Sequence, residues 1–255
     1  MTLLQGILLL LAGLIAGVVN TVAGGGSLLT LPALIFSGIP SVEANATNRL
    51  GVLAQGLVST PKMFQATEPA TKSYLYALLP TAILGGILGT WLAANISGQQ
   101  FDKALGVCMI IMLILIFRKT TFTAVESKPF STLSQKKKLL ILVSFFGLGF
   151  YAGFIQAGMG MVTLLVLSLL SGMTLVQANA LKVMMILLIT SFALLIFVLA
   201  GIKIHLLAGL ILSAGQMVGA GIGTRLALGA KGEQVIRFAL IAMTLLSAAK
   251  LFFGV

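Results

Sequence analysis

Acidic side chains are nearly missing from this chain: Asp and Glu total 5 in 255 residues, against 16 Lys and Arg. The five are Glu43, Glu68, Asp102, Glu126 and Glu233, and each falls at the end of an apolar run or in a connection. No carboxylate pair is therefore placed for general acid–base catalysis, and none lies deep enough to relay protons or hold a cation. Cys108 is the single cysteine. It excludes an intrachain disulfide and cannot build a thiolate metal site alone, so it reads as a small buried hydrophobe. The single histidine, His205, stands beside Lys203 in a short connection and reads as a loop residue. Without a metal cluster, a nucleotide-binding loop or a nucleophile triad, the reading is of a non-enzyme with no metal and no cofactor.

Charge of either sign is scarce. Charged residues make up 8% of the chain and hydrophobic residues 59%, with a mean hydropathy of +1.14. A soluble domain keeps about a quarter of its residues charged, so this chain cannot cover a water-facing surface. Apolar runs at 3–19, 74–94, 104–117, 139–155, 183–200 and 238–253 approach the span of a bilayer. They are built from Leu, Ala, Ile and Met rather than ten-residue alternating strands. The expected class is an all-α polytopic membrane protein, not a β-barrel. Residues 3–19 could mimic a signal peptide, but no basic residue precedes them and the same segment recurs at 139–157.

The formal charge of +11 does not imply nucleic acid, because the basic residues sit mostly between apolar runs. Arg118, Lys119, Lys128, Lys136, Lys137 and Lys138 crowd the 118–138 connection, which reads as a cytoplasmic linker. Counting outward from it places 67–73 and the 227–234 connection inside, and 96–100, 201–205 and both termini outside. Lys62, Lys72, Arg225, Lys231 and Arg237 then join the linker's six inside, against Lys103, Lys203 and Lys250 outside, as the positive-inside bias requires.

A block of the chain occurs twice. Residues 38–46 (GIPSVEANA) return at 172–180 (GMTLVQANA), 85–90 (GGILGT) at 219–224 (GAGIGT), and Lys103 as Arg237, all at an offset of 134. One shift fitting three separated segments implies a duplicated half: a first membrane repeat at 1–117, the linker at 118–138, and a second repeat at 139–255. Each copy holds about five helical segments and an odd number of crossings, so the second copy is expected upside down relative to the first. Inverted repeats around a central site mark secondary transporters.

Candidate chemistry gathers where the apolar pattern breaks. Gly24, Gly25 and Gly26 interrupt a helical run, although each glycine costs a helix about 1 kcal/mol against alanine. A break there exposes backbone N–H groups at the start of the short stretch 28–37, where the helix dipole favours an anion, with Ser27 and Thr30 adding hydroxyls. Gly158 and Gly160 match Gly24 and Gly26 at the same offset, before the short stretch 161–171, and Thr163 lies one position before the match of Thr30. Two such breaks would direct two helix starts at one midplane site. Asn20 and Gln156 precede the breaks. Asn48, Arg49 and Lys182 follow the short stretches, the two cations about one turn into their helices, where they either snorkel to a membrane face or bind something. Asn45 and Asn179 read as N-caps, and Gln55, Gln156 and Gln216 as helix-to-helix hydrogen bonders. Gly13/Gly17, Gly85/Gly89, Gly149/Gly153, Gly215/Gly219 and Gly219/Gly223 have the spacing of close helix contacts, which suits internal packing or a homodimer equally.

The opening pattern, from Gly17 through Asn20, Thr21, Ala23, Gly24, Gly25, Gly26, Ser27 and Thr30 to Pro32, followed by Ala44-Asn45-Ala46-Thr47-Asn48, resembles the sulfite exporter TauE/SafE family. The second copy, from Gly153 to Gly160 and from Gln177 to Lys182, is similar to that family's second half. The resemblance covers nearly the whole chain. It implies a polytopic inner-membrane transporter of a small sulfur-containing or organic anion, of the sulfite or sulfonate kind. The expected substrate residues are Asn20, Gly24, Gly25, Gly26, Ser27, Thr30, Asn48, Arg49, Gln156, Gly158, Gly160, Thr163 and Lys182. The first copy is expected to dominate recognition, because the second lacks the glycine triplet and Ser27. The expected partners are the anion and the lipid bilayer. A passive channel and a non-transport scaffold are the alternative readings.

Overall fold

Thr2 starts the first helix with a reciprocal cap. Its hydroxyl accepts from the Gln5 backbone N–H (3.3 Å) while its own N–H donates to the Gln5 side chain (2.8 Å). The computed structural model describes residues 1–117, 130–232, 234–236 and 238. Arg118, Lys119, Glu126, Lys128, Glu233, Arg237, Lys250 and nearly all of the last apolar run lie outside the described residues.

The helices are α1 (Leu3–Val22), α2 (Ser27–Phe36), α3 (Ser41–Gln65), α4 (Pro69–Asn95), α5 (Gly98–Phe117), α6 (Gln135–Phe154), α7 (Met159–Ser171), α8 (Leu175–Leu199) and α9 (Leu206–Leu228). Among the described residues there is no strand, and α1, α4, α6, α8 and α9 are long and apolar enough to cross a membrane. The chain is an all-α polytopic membrane protein. Leu3, Leu57, Leu84, Trp91 and Leu195 are among many large apolar side chains on the outer surface, where lipid rather than water is the compatible solvent.

The bounds of α3 and α8 differ by 134 residues at both ends (41 to 175, 65 to 199). Sequence reading started both helices too late. Pro40 precedes α3, and Thr174 caps α8 by the same reciprocal bonds to Gln177 that open α1. Asn45 and Asn179 are therefore not N-caps but interior residues, and Arg49 and Lys182 stand about two turns in, not one. α6 begins at Gln135, so the lysines at 136–138 belong to a helix rather than a loop.

Packing is reciprocal between the two halves. α1 packs on α9 and α6 on α4; α3 contacts α9 and α8 contacts α4; α3 and α8 cross at the centre. Glycines make the two outer seams. A side chain on Gly13 or Gly17 would run into α9 backbone at Leu212 and Gln216, and one on Gly215 or Gly219 into α1 backbone at Leu10 and Leu14. Gly85 and Gly89 stand in the same way against Phe146 and Phe150, and Gly149 and Gly153 against Ala82 and Gly86. These small-residue faces are occupied within the chain, where backbone-to-backbone approach supplies dispersion contact. Between α4, α6 and α8 lies an apolar core that includes Leu78, Phe145, Leu148, Met184, Met185 and Ile189.

The ends of α3 and α8 show their relative direction. Glu43, in the first turn of α3, meets His205, just beyond α8, with 2.6 Å between Oε2 and Nε2. Gln177, in the first turn of α8, donates to Glu68, just beyond α3, at 3.2 Å. The two helices lie head to tail. At the Glu43 end, a cavity of about 460 Å³ is lined by residues including Met1, Gly38, Lys203 and His205.

Candidate functional site

Two helices stop inside the bundle, each at a left-handed backbone position. α1 ends at Val22 and Gly24 follows with φ +86°; α6 ends at Phe154 and is followed by Gln156 at φ +65° and Gly158 at φ +73°. Glycine takes such angles without the steric cost a Cβ would bring, whereas Gln156 is held there. Its Nε2 donates to the Thr190 hydroxyl at 2.7 Å, and Tyr151 donates its hydroxyl to the Ala157 carbonyl at 2.5 Å. The two breaks touch. A side chain on Gly24 would collide with the Gly160 backbone, and one on Gly160 with the Gly24 backbone. Gly26 is pressed equally hard against Ala16 of α1. The sequence-derived residues Gly24, Gly25, Gly26, Gly158 and Gly160 are all buried at this meeting point.

Asn20 closes the first break from its own helix. Its Oδ1 accepts from the Gly26 N–H at 2.8 Å and its Nδ2 donates to Gln55 Oε1 at 3.3 Å. Beyond the break, Thr30 donates to Asn48 Oδ1 at 2.7 Å, and Asn48 Nδ2 donates to the Ser27 hydroxyl at 3.4 Å. Asn20 and Gln55 thus form one buried pair between α1 and α3, and Ser27, Thr30 and Asn48 a second buried group between α2 and α3. Thr163 behaves differently from Thr30: it donates to the Met159 carbonyl one turn back in its own helix, at 3.0 Å. The position matching Asn48 at the 134-residue shift is Lys182, so the second half has no amide there.

Arg49 and Lys182 are both 0% exposed, so neither snorkels. Each cation reaches the broken helix of the opposite half. Arg49 donates through Nη1 to the Ala152 carbonyl (2.8 Å) and through Nη2 to the Gly153 carbonyl (2.7 Å), near the end of α6. Lys182 donates to the carbonyls of Asn20 (2.8 Å) and Thr21 (3.4 Å), near the end of α1. A helix C-terminus carries about half a negative charge, which accounts for the attraction. Asn45 assists by accepting from Arg49 at 3.4 Å and donating to the Phe154 carbonyl at 2.8 Å. The Phe197 ring lies 5.8 Å from the guanidinium carbon. Among the described residues no carboxylate is buried. Glu43, the acid nearest in sequence to Arg49, is partly exposed and joined to His205.

Two basic side chains therefore sit in the interior against only partial negative charge, and Arg49 Nε makes no hydrogen bond. Such a site suits a small anion with several oxygen acceptors. Among the described residues there is no group of three or more His, Cys, Asp and Glu placed to hold a metal ion. All thirteen sequence-derived residues are buried, and none lines the open cavity beside His205.

Asn45, Gln55 and Thr190 also serve the breaks, through contacts 34 to 109 residues away in sequence. Their signal was a polar residue in an apolar run, but nothing local says which helix it will meet. The Glu43–His205 pair, 162 residues apart, was equally hidden. Gln55 and Gln156 do bridge helices as expected. Gln216 does not: neither its Nε2 nor its Oε1 has a partner.

Comparison with known proteins follows the same lines. The profile described as "Sulfite exporter TauE/SafE" matches residues 9–251. A "Probable membrane transporter protein" of Haemophilus influenzae is 32% identical over 249 residues, covering 96% of this chain and 93% of the relative. The "Probable membrane transporter protein YfcA" of Escherichia coli K12 is 28% identical over 254 residues, covering 98% and 90%. The "Probable membrane transporter protein ORF9" of a Sinorhizobium species is 28% identical over 246 residues, covering 95% and 90%. No solved structure matches the chain.

Proposed function

The chain belongs to the sulfite exporter TauE/SafE family, and on that premise we propose that it is a secondary transporter. It moves a small sulfur-containing or organic anion, sulfite- or sulfonate-like, across the cytoplasmic membrane by alternating access. The supporting observation is the crossed pair of buried cations, Arg49 on the α6 end and Lys182 on the α1 end, with no buried carboxylate among the described residues. Burying an ion costs several kcal/mol even after relaxation. A bound oxyanion offsets that cost at both positions, which partial charges on carbonyls do less completely.

In this reading the halves are inverted repeats, with head-to-tail α3 and α8 as their shared axis elements. Arg49 and Lys182 each hold the opposite half's broken helix, so they act as clasps between the halves. An anion near Lys182 competes with the Asn20 and Thr21 carbonyls for the ammonium protons. Substrate binding thereby loosens one clasp, and the halves rock about Gly24 and Gly160 to open the other side. Asn20, Ser27, Thr30 and Asn48 supply neutral polar groups to the oxygens.

Purified protein in proteoliposomes tests this directly. Saturable sulfite or sulfonate flux with counterflow is the expected result. Channel-like unitary conductance would replace the carrier reading with a passive pore. The absence of any anion flux, together with no anion-dependent thermal stabilisation, would favour a scaffold.

A further inference from the structure

Gln216 stands in the middle of α9 with 0% exposure, and both polar atoms of its side chain lack a hydrogen-bond partner. An amide that only joined helices would be bonded across the interface, because an unused buried donor and acceptor are costly. Its position is defined by a glycine. A Cβ on Gly51 of α3 would stand 2.8 Å from Gln216 Nε2 and 3.1 Å from Oε1. Gln216 thus occupies the space that a side chain at position 51 would fill.

That space interrupts a polar row. Asn48, Gly51 and Gln55 are spaced three and four residues apart, so they share one face of α3. Asn48 is bonded to Ser27 and Thr30, and Gln55 to Asn20. Gln216 fills the gap in this row from the other half of the chain. The pseudo-equivalent place is apolar: the 134-residue shift pairs Gln216 with Ala82, Gly51 with Met185 and Gln55 with Ile189, all three in the apolar core.

We infer that Gln216 is a further substrate-contacting residue, whose Nε2 donates to an oxygen of the bound oxyanion and so makes the α1–α3–α9 side the polar wall of its path. This rests on the anion-transport reading above. A neutral amide adds a directed hydrogen bond without adding charge, so its loss should weaken oxyanions, whose oxygens accept along fixed directions, more than a spherical halide.

The test is thermal stability of the purified full chain, titrated with sulfite, methanesulfonate and, as the halide control, iodide. Gln216→Leu keeps the volume and removes the unused polar atoms. It should melt at or above the wild-type temperature without anion, while the sulfite concentration giving half-maximal stabilisation rises about tenfold. Gly51→Ala, which displaces the amide without deleting it, should weaken sulfite in the same direction and serves if Gln216→Leu fails to fold. The iodide response should change less. An unaltered sulfite response in both variants overturns the inference and leaves the transport reading standing. So does a lower unliganded melting temperature of Gln216→Leu with its sulfite response intact, which would make the amide structural. If the wild type responds to no oxyanion, the transport reading fails and this inference with it.

Discussion

Lys182 of α8 donates its ammonium to the carbonyl oxygen of Asn20, 162 residues away, at 2.8 Å. The contact joins a fully buried cation to the last turn of a helix from the first half of the chain. Lys182→Met removes the buried charge and its hydrogen bonds together, and these terms oppose each other. The unfolding free energy should therefore change by less than about 2 kcal/mol, while stabilisation by sulfite or sulfonates disappears. Thermal melts with and without anion measure both. A large loss of unliganded stability with the anion response retained would reduce Lys182 to a structural clasp.

Gly24 and Gly38 have nearly the same backbone angle, φ +86° and +89°, in opposite surroundings. Nothing lies within 4 Å of a Cβ on Gly38, whereas one on Gly24 strikes Gly160. Gly38→Ala should cost only the left-handed penalty of about 1–2 kcal/mol. Gly24→Ala adds overpacking of about 1–3 kcal/mol and should also abolish transport. Equal melting temperatures for the two variants would contradict the tight meeting of the breaks.

Gly147 and Gly149 make the corresponding test for the α4–α6 seam. A Cβ on Gly147 meets nothing, while one on Gly149 runs into the Ala82 backbone. Gly147→Ala should be neutral or stabilise by up to about 1 kcal/mol through helix propensity. Gly149→Ala should destabilise, and measured unfolding should place it below Gly147→Ala in stability.

The Glu43–His205 pair is more than a quarter exposed on both sides, 29% and 27%. A double-mutant cycle of Glu43→Ala and His205→Ala should therefore give a coupling of less than about 1 kcal/mol, smaller at high salt. A coupling several times larger would mean that the pair holds the α8–α9 connection as a rigid closure.

Orientation is checked with single cysteines in a Cys108→Ser background. Gly201→Cys should react with an impermeant thiol reagent from outside the cell. Lys72→Cys should react only after the membrane is opened. The reverse pattern would invert the proposed topology.

Amino-acid composition alone determined that this chain lives in a membrane and is helical. With 8% charged residues no water-facing surface can be built, and backbone groups in hydrocarbon must be satisfied within helices. The 134-residue offset and the glycine triplet were equally legible, because both are properties of the chain read in order. Helix starts were less so: the reciprocal Thr174–Gln177 cap lies upstream of Asn179, and Pro40 upstream of Asn45. Tertiary structure alone decided which residues meet. Arg49 and Lys182 were recognisable as costly charges, but their partners are carbonyl groups on α6 and α1, more than 100 residues away. Backbone carbonyls carry no sequence signature. Gln55 and Gln216 looked alike as isolated amides in apolar helices, and only packing separated the one bonded to Asn20 from the one left with both polar atoms unpaired over Gly51. Residue type sets what a side chain can bond, while the crossing of helices sets which bonds it is given.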